Sequence, residues 1–187
     1  ICASINEVVI HGIPSSKQIL KDGDIISIDI GANYKGYHGD CARTWPCGNV
    51  KSDRLKLIEV TEQSFFEGLK YAHPGNRLSD ISHAIEMYAK KFNYGVVRDF
   101  TGHGVGSKLH EDPAVPNYGK EGMGPVLRKG MTLAIEPMIN MGTYKVKILA
   151  DGWTTITSDH SPSAHYENSI VITDNGYEIL TKIKEND

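Results

Sequence analysis

Carboxylates stand where strand-forming segments call for apolar side chains, and no other feature constrains the fold as tightly. Asp29 interrupts Ile25-Ile26-Ser27-Ile28-Asp29-Ile30, Glu136 closes Thr132-Leu133-Ala134-Ile135-Glu136-Pro137, and Glu167 precedes Asn168-Ser169-Ile170-Val171-Ile172. Asp40, in Gly39-Asp40-Cys41, joins them. Any one of these acids taken alone reads equally well as the solvent-facing member of an alternating strand. Taken together they point inward, and a buried carboxylate needs a partner. Lys and Arg are too few in these segments to provide one, so a divalent cation is the expected counter-charge. The fold then has to carry acids from distant parts of the chain to one place.

The pattern of elements allows that. Val8-Val9-Ile10, Ile25 to Ile30 and Tyr37 to Trp45 read as meandering antiparallel strands separated by Gly12-Ile13-Pro14, Asp22-Gly23-Asp24 and Lys35-Gly36. A helix is expected over 54–72, N-capped at Ser52-Asp53 and stopped by Pro74-Gly75. A second is expected over 79–93, with Ile81, Ala84, Ile85, Tyr88 and Phe92 on one face, Ser79 as cap and Gly95 as stop. Strand patterns resume at Met131–Glu136, Thr154–Thr157 and Ser163–Thr173. Strands, two helices and strands again give an α+β class, and with no linker or repeat the 187 residues read as one domain.

Composition narrows the partners. Twenty Lys and Arg against 23 Asp and Glu, with no basic block, argue against a nucleic-acid ligand. Three cysteines, Cys2, Cys41 and Cys47, form neither a disulfide framework nor a metal-ligand pair, which fits a reducing, cytoplasmic setting. No apolar run reaches the roughly 18 residues of a membrane span, and no signal segment opens the sequence.

Histidines complete the candidate ligand set. His103 lies in Thr101-Gly102-His103-Gly104-Val105-Gly106, whose glycines are expected to let backbone approach a bound group. An incidental His in a flexible turn is the plain alternative. The dinucleotide fingerprint fails because Ser107 stands where a Gly is needed, and a zincin reading of His110-Glu111 fails because Ala114 occupies the second His position. His11 falls where a strand gives way to a turn. One His with four carboxylates is a donor set that can hold two metal ions if two carboxylates bridge them. Such a pair, about 3.5–4 Å apart, generates a nucleophilic hydroxide for hydrolysis. Manganese, iron(II), cobalt and zinc all suit these ligands.

These residues resemble the type I methionine aminopeptidases, metallopeptidases of pita-bread fold, along essentially the whole chain. The resemblance is carried by Ser4 to Pro14, Ile28-Asp29, Gly39-Asp40, Thr101 to Gly106 with His110-Glu111-Asp112-Pro113, Ile135 to Met138, and Ser163 to Glu167. The ligand intervals of 11, 63, 33 and 31 residues also match. It implies that Asp29 ligates one metal, that His103 and Glu136 ligate the other, and that Asp40 and Glu167 bridge them. It further implies that Glu136 handles protons, that His110 contacts the scissile peptide, and that His11 lies near its amide nitrogen. Cys2, Leu109 and Trp153 line the methionine side chain's pocket by the same comparison, core packing being the alternative for Cys2 and Leu109. Ser163 offers a carbonyl to a monovalent cation, sodium or potassium.

The implied substrate is the N-terminal methionine of a nascent polypeptide with a small second residue, presented at or near the ribosome. The Xaa-Pro peptidases of the same fold are one alternative, and a pita-bread module that binds peptides without catalysis is another. One departure stands out: the family's helices before the first strand, which complete the first of two pseudo-symmetric halves, have no counterpart here. The two expected helices then belong to the second half, and a second chain is expected to cover the sheet left bare.

Overall fold

The computed structural model describes residues 1–182. In chain order it contains β1 (Cys2–Ile5), β2 (Val8–Ile10), β3 (Ile25–Tyr34), β4 (Tyr37–Pro46), α1 (Ser52–Leu69), α2 (Leu78–Lys90), β5 (Gly95–Val96), β6 (Gly102–Gly104) and β7 (Glu111–Val115). It continues with β8 (Thr132–Ile135), β9 (Met138–Asn140), β10 (Val146–Ile148), β11 (Thr155–Thr157), β12 (Ser163–His165), β13 (Glu167–Ile172) and β14 (Tyr177–Ile179). Among the described residues no helix is long and apolar enough to cross a membrane.

One antiparallel sheet runs β1-β3-β4-β13-β8-β6-β7, with β14 also on β13. Two three-stranded sheets, β10-β11-β2 and β12-β9-β5, complete the structure. The main sheet is nucleated by a hairpin in which Tyr34 faces Tyr37 across Lys35 and Gly36. Both turn residues have positive φ, 52° and 86°, as a two-residue turn matched to strand twist requires.

The register decides which side chains share a face. Asp29 lies opposite Ala42, Asp40 opposite Gly31, and Glu167 opposite Ala42. Ala134 lies opposite both Ser169 and His103. Since side chains alternate with period two, Asp29, Asp40, Glu167, His103 and the residue after β8, Glu136, all project from one face. The intervening positions on that face are small: Ala42, Ala134 and Ser169. Leu133, Ile135, Ile170 and Ile172 project the other way, where they pack with Phe65 and Leu69 of α1 and Ile81 and Ile85 of α2. Each such side chain, fully buried, contributes about 1.5–3 kcal/mol. A polar face and an apolar, helix-covered face thus come from the same alternation.

The helices differ from expectation at their ends. Lys51, not Ser52 or Asp53, precedes α1, and no side chain caps it. Arg77 precedes α2, its N–H donated to Asp80 Oδ2 (2.8 Å), while Ser79 instead accepts the Met123 N–H (2.6 Å). The expected strand over 163–173 breaks at Tyr166 into β12 and β13. Arg43 holds that break. Its guanidinium lies 4.1 Å from the centre of the Tyr166 ring and donates to the carbonyls of Ala42 and Glu167 and to Asn168 Oδ1.

Candidate metal centre

The convergent face carries a cluster of buried acids. Asp40, His103 and Glu167 offer donor atoms that all lie within 4.8 Å of one another. His103 Nε2 is 3.8 Å from Asp40 Oδ2 and 3.6 Å from Glu136 Oε1. Asp29, one strand over, is half-buried and diagonal to Asp40. All five expected ligands therefore meet at one place.

Electrostatics sets the character of the cluster. Burial pushes the Asp29 carboxyl up to about 6, and the neighbouring Asp40 charge adds to the effect. Glu136 is raised well above the usual range by burial and by Asp29 and Asp40. Glu167 is raised likewise, by burial and then by Glu136, Asp40 and Asp29. Of the nearby cations, Arg43 spends its donors on backbone carbonyls and an amide oxygen, and the N-terminal ammonium offsets the rise at Asp29 only in part. His103 sharpens the point. Its Nδ1 lies 2.8 Å from the Gly104 carbonyl, which can only accept, so Nδ1 carries the hydrogen. Burial, with a smaller contribution from His110, holds the imidazole below its ordinary range despite that hydrogen bond. The Nε2 lone pair consequently faces carboxylate oxygens, acceptor toward acceptors. A divalent cation between them reconciles the arrangement, and the oxygen-rich donor set fits such an ion.

The glycines around His103 serve the strands on either side of β6. A Cβ at Gly102 would stand 2.3 Å from the Ala134 carbonyl oxygen, and one at Gly104 would stand 2.3 Å from that of Asp112. The expectation that they let backbone approach a bound group is replaced by a packing reason: they let β6 slot between β7 and β8. His103 is also in a strand, with no flexible turn around it.

Other candidate residues surround the cluster. His110 is exposed, with its ring 4.2 Å from that of His103. Together with Thr101, Lys108 and Glu111 they line a cavity of about 690 Å³. Cys2 sits opposite Asp29 in the β1–β3 pair, its thiol raised by burial and by that carboxylate. Leu109 lies over Gly31, where an added Cβ would come within 3.2 Å of it. His11 stacks on Trp153 at 4.6 Å between ring centres. Ser163 is buried on β12, its hydroxyl donating to Asn140 Oδ1 at 2.8 Å.

Sequence reasoning assigned no role to His165, which the structure brings to the cluster. It is 2% exposed, with Nε2 3.7 Å from Glu136 Oε2 and no hydrogen-bond partner among the described residues. Burial, then repulsion from His11 when it is protonated and from Arg43, lowers its pKa to about 3, so the ring is neutral. No sequence pattern marked it, because the strand that would relate it to Glu167 breaks at Tyr166.

The model of metallopeptidase family M24 matches residues 1–174. A methionine aminopeptidase of Clostridium acetobutylicum is 58% identical over 97% of this chain and 72% of its own length. Methionine aminopeptidase 1 of Bacillus subtilis is 56% identical over 98% and 73%. The crystal structure of a Thermotoga maritima methionine aminopeptidase superposes with a TM-score of 0.95 at 49% identity, over 97% of this chain and 73% of that one. A prolidase from Pyrococcus furiosus gives 0.77 at 26% identity, over 98% and 49%.

Proposed function

Since the chain belongs to metallopeptidase family M24, as one of its methionine aminopeptidases of pita-bread fold, we propose that it removes the initiator methionine from nascent polypeptides whose second residue is small. The observation that carries this reading is the neutral His103 lone pair turned toward a cluster of crowded carboxylates. Asp29 would hold one divalent ion, His103 and Glu136 the other, and Asp40 and Glu167 both. Bound there, the pair supplies Lewis acidity toward the peptide carbonyl and acidifies water.

The chain's own residues do the rest. His110, exposed beside His103, donates a hydrogen bond to the scissile carbonyl oxygen as negative charge builds on it. His11 orients the peptide at its amide nitrogen. Glu136 takes a proton from the attacking water and returns it to the leaving amine. Cys2, Leu109 and Trp153 enclose the methionine thioether with apolar and polarisable surface. Ser163 would offer a carbonyl to a sodium or potassium ion.

Hydrolysis of Met-Ala-Ser against an Ala-Pro peptide tests the assignment, with the protein loaded anaerobically with cobalt, manganese, iron(II) or zinc in turn. Release of free methionine with at least one metal, and none after chelation, is the expected result. Faster cleavage of the proline peptide would move the assignment to the Xaa-Pro branch, to which the prolidase likeness belongs. No cleavage of either peptide would leave a binding module.

A further inference from the structure

His11 lacks the usual means of fixing an imidazole. Among the described residues no protein hydrogen bond reaches its ring, whereas His103 is oriented by the Gly104 carbonyl. Its orientation comes from aromatic packing instead. Trp153 stacks on it with centres 4.6 Å apart and planes 21° apart, and Phe100 presents its edge at 5.7 Å and 84°. The backbone beneath is held in the left-handed region, φ 60°, which favours glycine and persists elsewhere only where surroundings enforce it. Those surroundings are the Ser4 hydroxyl, which accepts the Gly12 N–H (3.1 Å), and the Ala3 N–H, which donates to the Gly12 carbonyl (2.8 Å).

Trp153 is itself 54% exposed, yet its loop is tied down. Asp151 Oδ1 accepts the N–H groups of Trp153 and Thr154, each at 2.9 Å, and Oδ2 accepts the Thr154 hydroxyl at 2.6 Å. Leu149 and Thr154 close the loop through a 2.8 Å backbone bond. The backbone that carries the indole is thus held, and the indole lays its inner face on the imidazole.

We propose that Trp153, locked by the Asp151 turn, is a positioning residue for His11: the stack sets the plane in which the imidazole meets the peptide. The proposal rests on His11 contacting substrate. Burial, with His110 nearby, holds the His11 ring below the ordinary imidazole range, so the stacked partner is the neutral ring.

The test compares Trp153→Leu, Trp153→Phe and Asp151→Ala in the wild-type and His11→Ala backgrounds, each checked for an unchanged melting temperature. Trp153→Leu is expected to lower kcat on Met-Ala-Ser by about 10-fold or more, as a misplaced group does, while any rise in KM reports its separate place in the methionine pocket. Trp153→Phe should recover most of the loss, and Trp153→Leu should add nothing to His11→Ala. In the metal-free protein, the His11 ring Cε1–Hε1 resonance should be single in wild type and Trp153→Phe but doubled or broadened in Trp153→Leu and Asp151→Ala. Equal slowing by Trp153→Leu in both backgrounds, or a single sharp His11 resonance in Trp153→Leu, overturns the proposal. Full activity in His11→Ala alone would instead overturn the reading of His11 as a substrate contact, and the resonance would still judge the positioning.

Discussion

Glu167 and His110 lie at the same centre and should fail differently. Glu167 is 2% exposed and crowded by three other acids, so its carboxylate is tolerable there only beside positive charge. Glu167→Gln is expected to lose bound metal and all measurable methionine release. His110 is exposed, with its ring 4.2 Å from that of His103, so His110→Ala should keep its metal and lose about 10²–10³ in kcat, the usual effect of removing an oxyanion donor. Metal analysis beside the kinetic assay distinguishes them, and metal loss from His110→Ala would contradict its assignment. These residues were legible because acids and histidines interrupt patterns that otherwise alternate cleanly. His165 was not, since a His between Ala164 and Tyr166 breaks no pattern and its proximity to Glu136 depends on the bend at Tyr166.

At the scale of elements, the long β3–β4 hairpin follows from turn chemistry and both helices from local periodicity, although neither expected cap is the one used. The short strands follow from neither. Gly102-His103-Gly104 has no β-branched or aromatic residue, and it is a strand because β7 and β8 accept it on either side. Tertiary pairing decides such segments, and a pattern read along one strand does not contain it. The consequence is testable. Gly102→Ala would drive a Cβ to 2.3 Å from the Ala134 carbonyl and 3.2 Å from Val115 Cβ, backbone on one side and fully buried core on the other. We expect it to destabilise the chain by at least about 2–3 kcal/mol, in the range of overpacked cores, and to do so in metal-free protein as well. Chemical denaturation measures this, and an unchanged midpoint would show that β6 can move away.

For the molecule as a whole, the small negative charge is a property of the site. Without the four proposed ligand carboxylates, 19 acids face 20 bases, so the rest of the molecule is close to neutral. The elevated carboxyl groups also make a prediction about stability. An acid whose folded pKa is raised binds its proton more tightly in the native state, so metal-free protein loses stability as pH rises from the unfolded value near 4 through about 6 for Asp29, and further for Glu136 and Glu167. Divalent metal competes with those protons. The rise in melting temperature on adding manganese should therefore be larger at pH 7.5 than at pH 5, and a larger shift at pH 5 would contradict the electrostatic account. The chain spans 72–73% of the length of the C. acetobutylicum and B. subtilis relatives described above, and Ile30, Tyr34, Tyr37 and Trp45 of the β3–β4 hairpin are exposed.

We propose that the five side chains brought to one sheet face by register hold two divalent ions. Anaerobic calorimetric titration of the metal-free protein with manganese at pH 7.5, with metal content measured after desalting, tests it most directly. Saturation at two ions per chain is expected, with protons released on binding, and loss of both ions in Asp40→Asn. Saturation below one ion per chain, or two ions retained by Asp40→Asn, would contradict it.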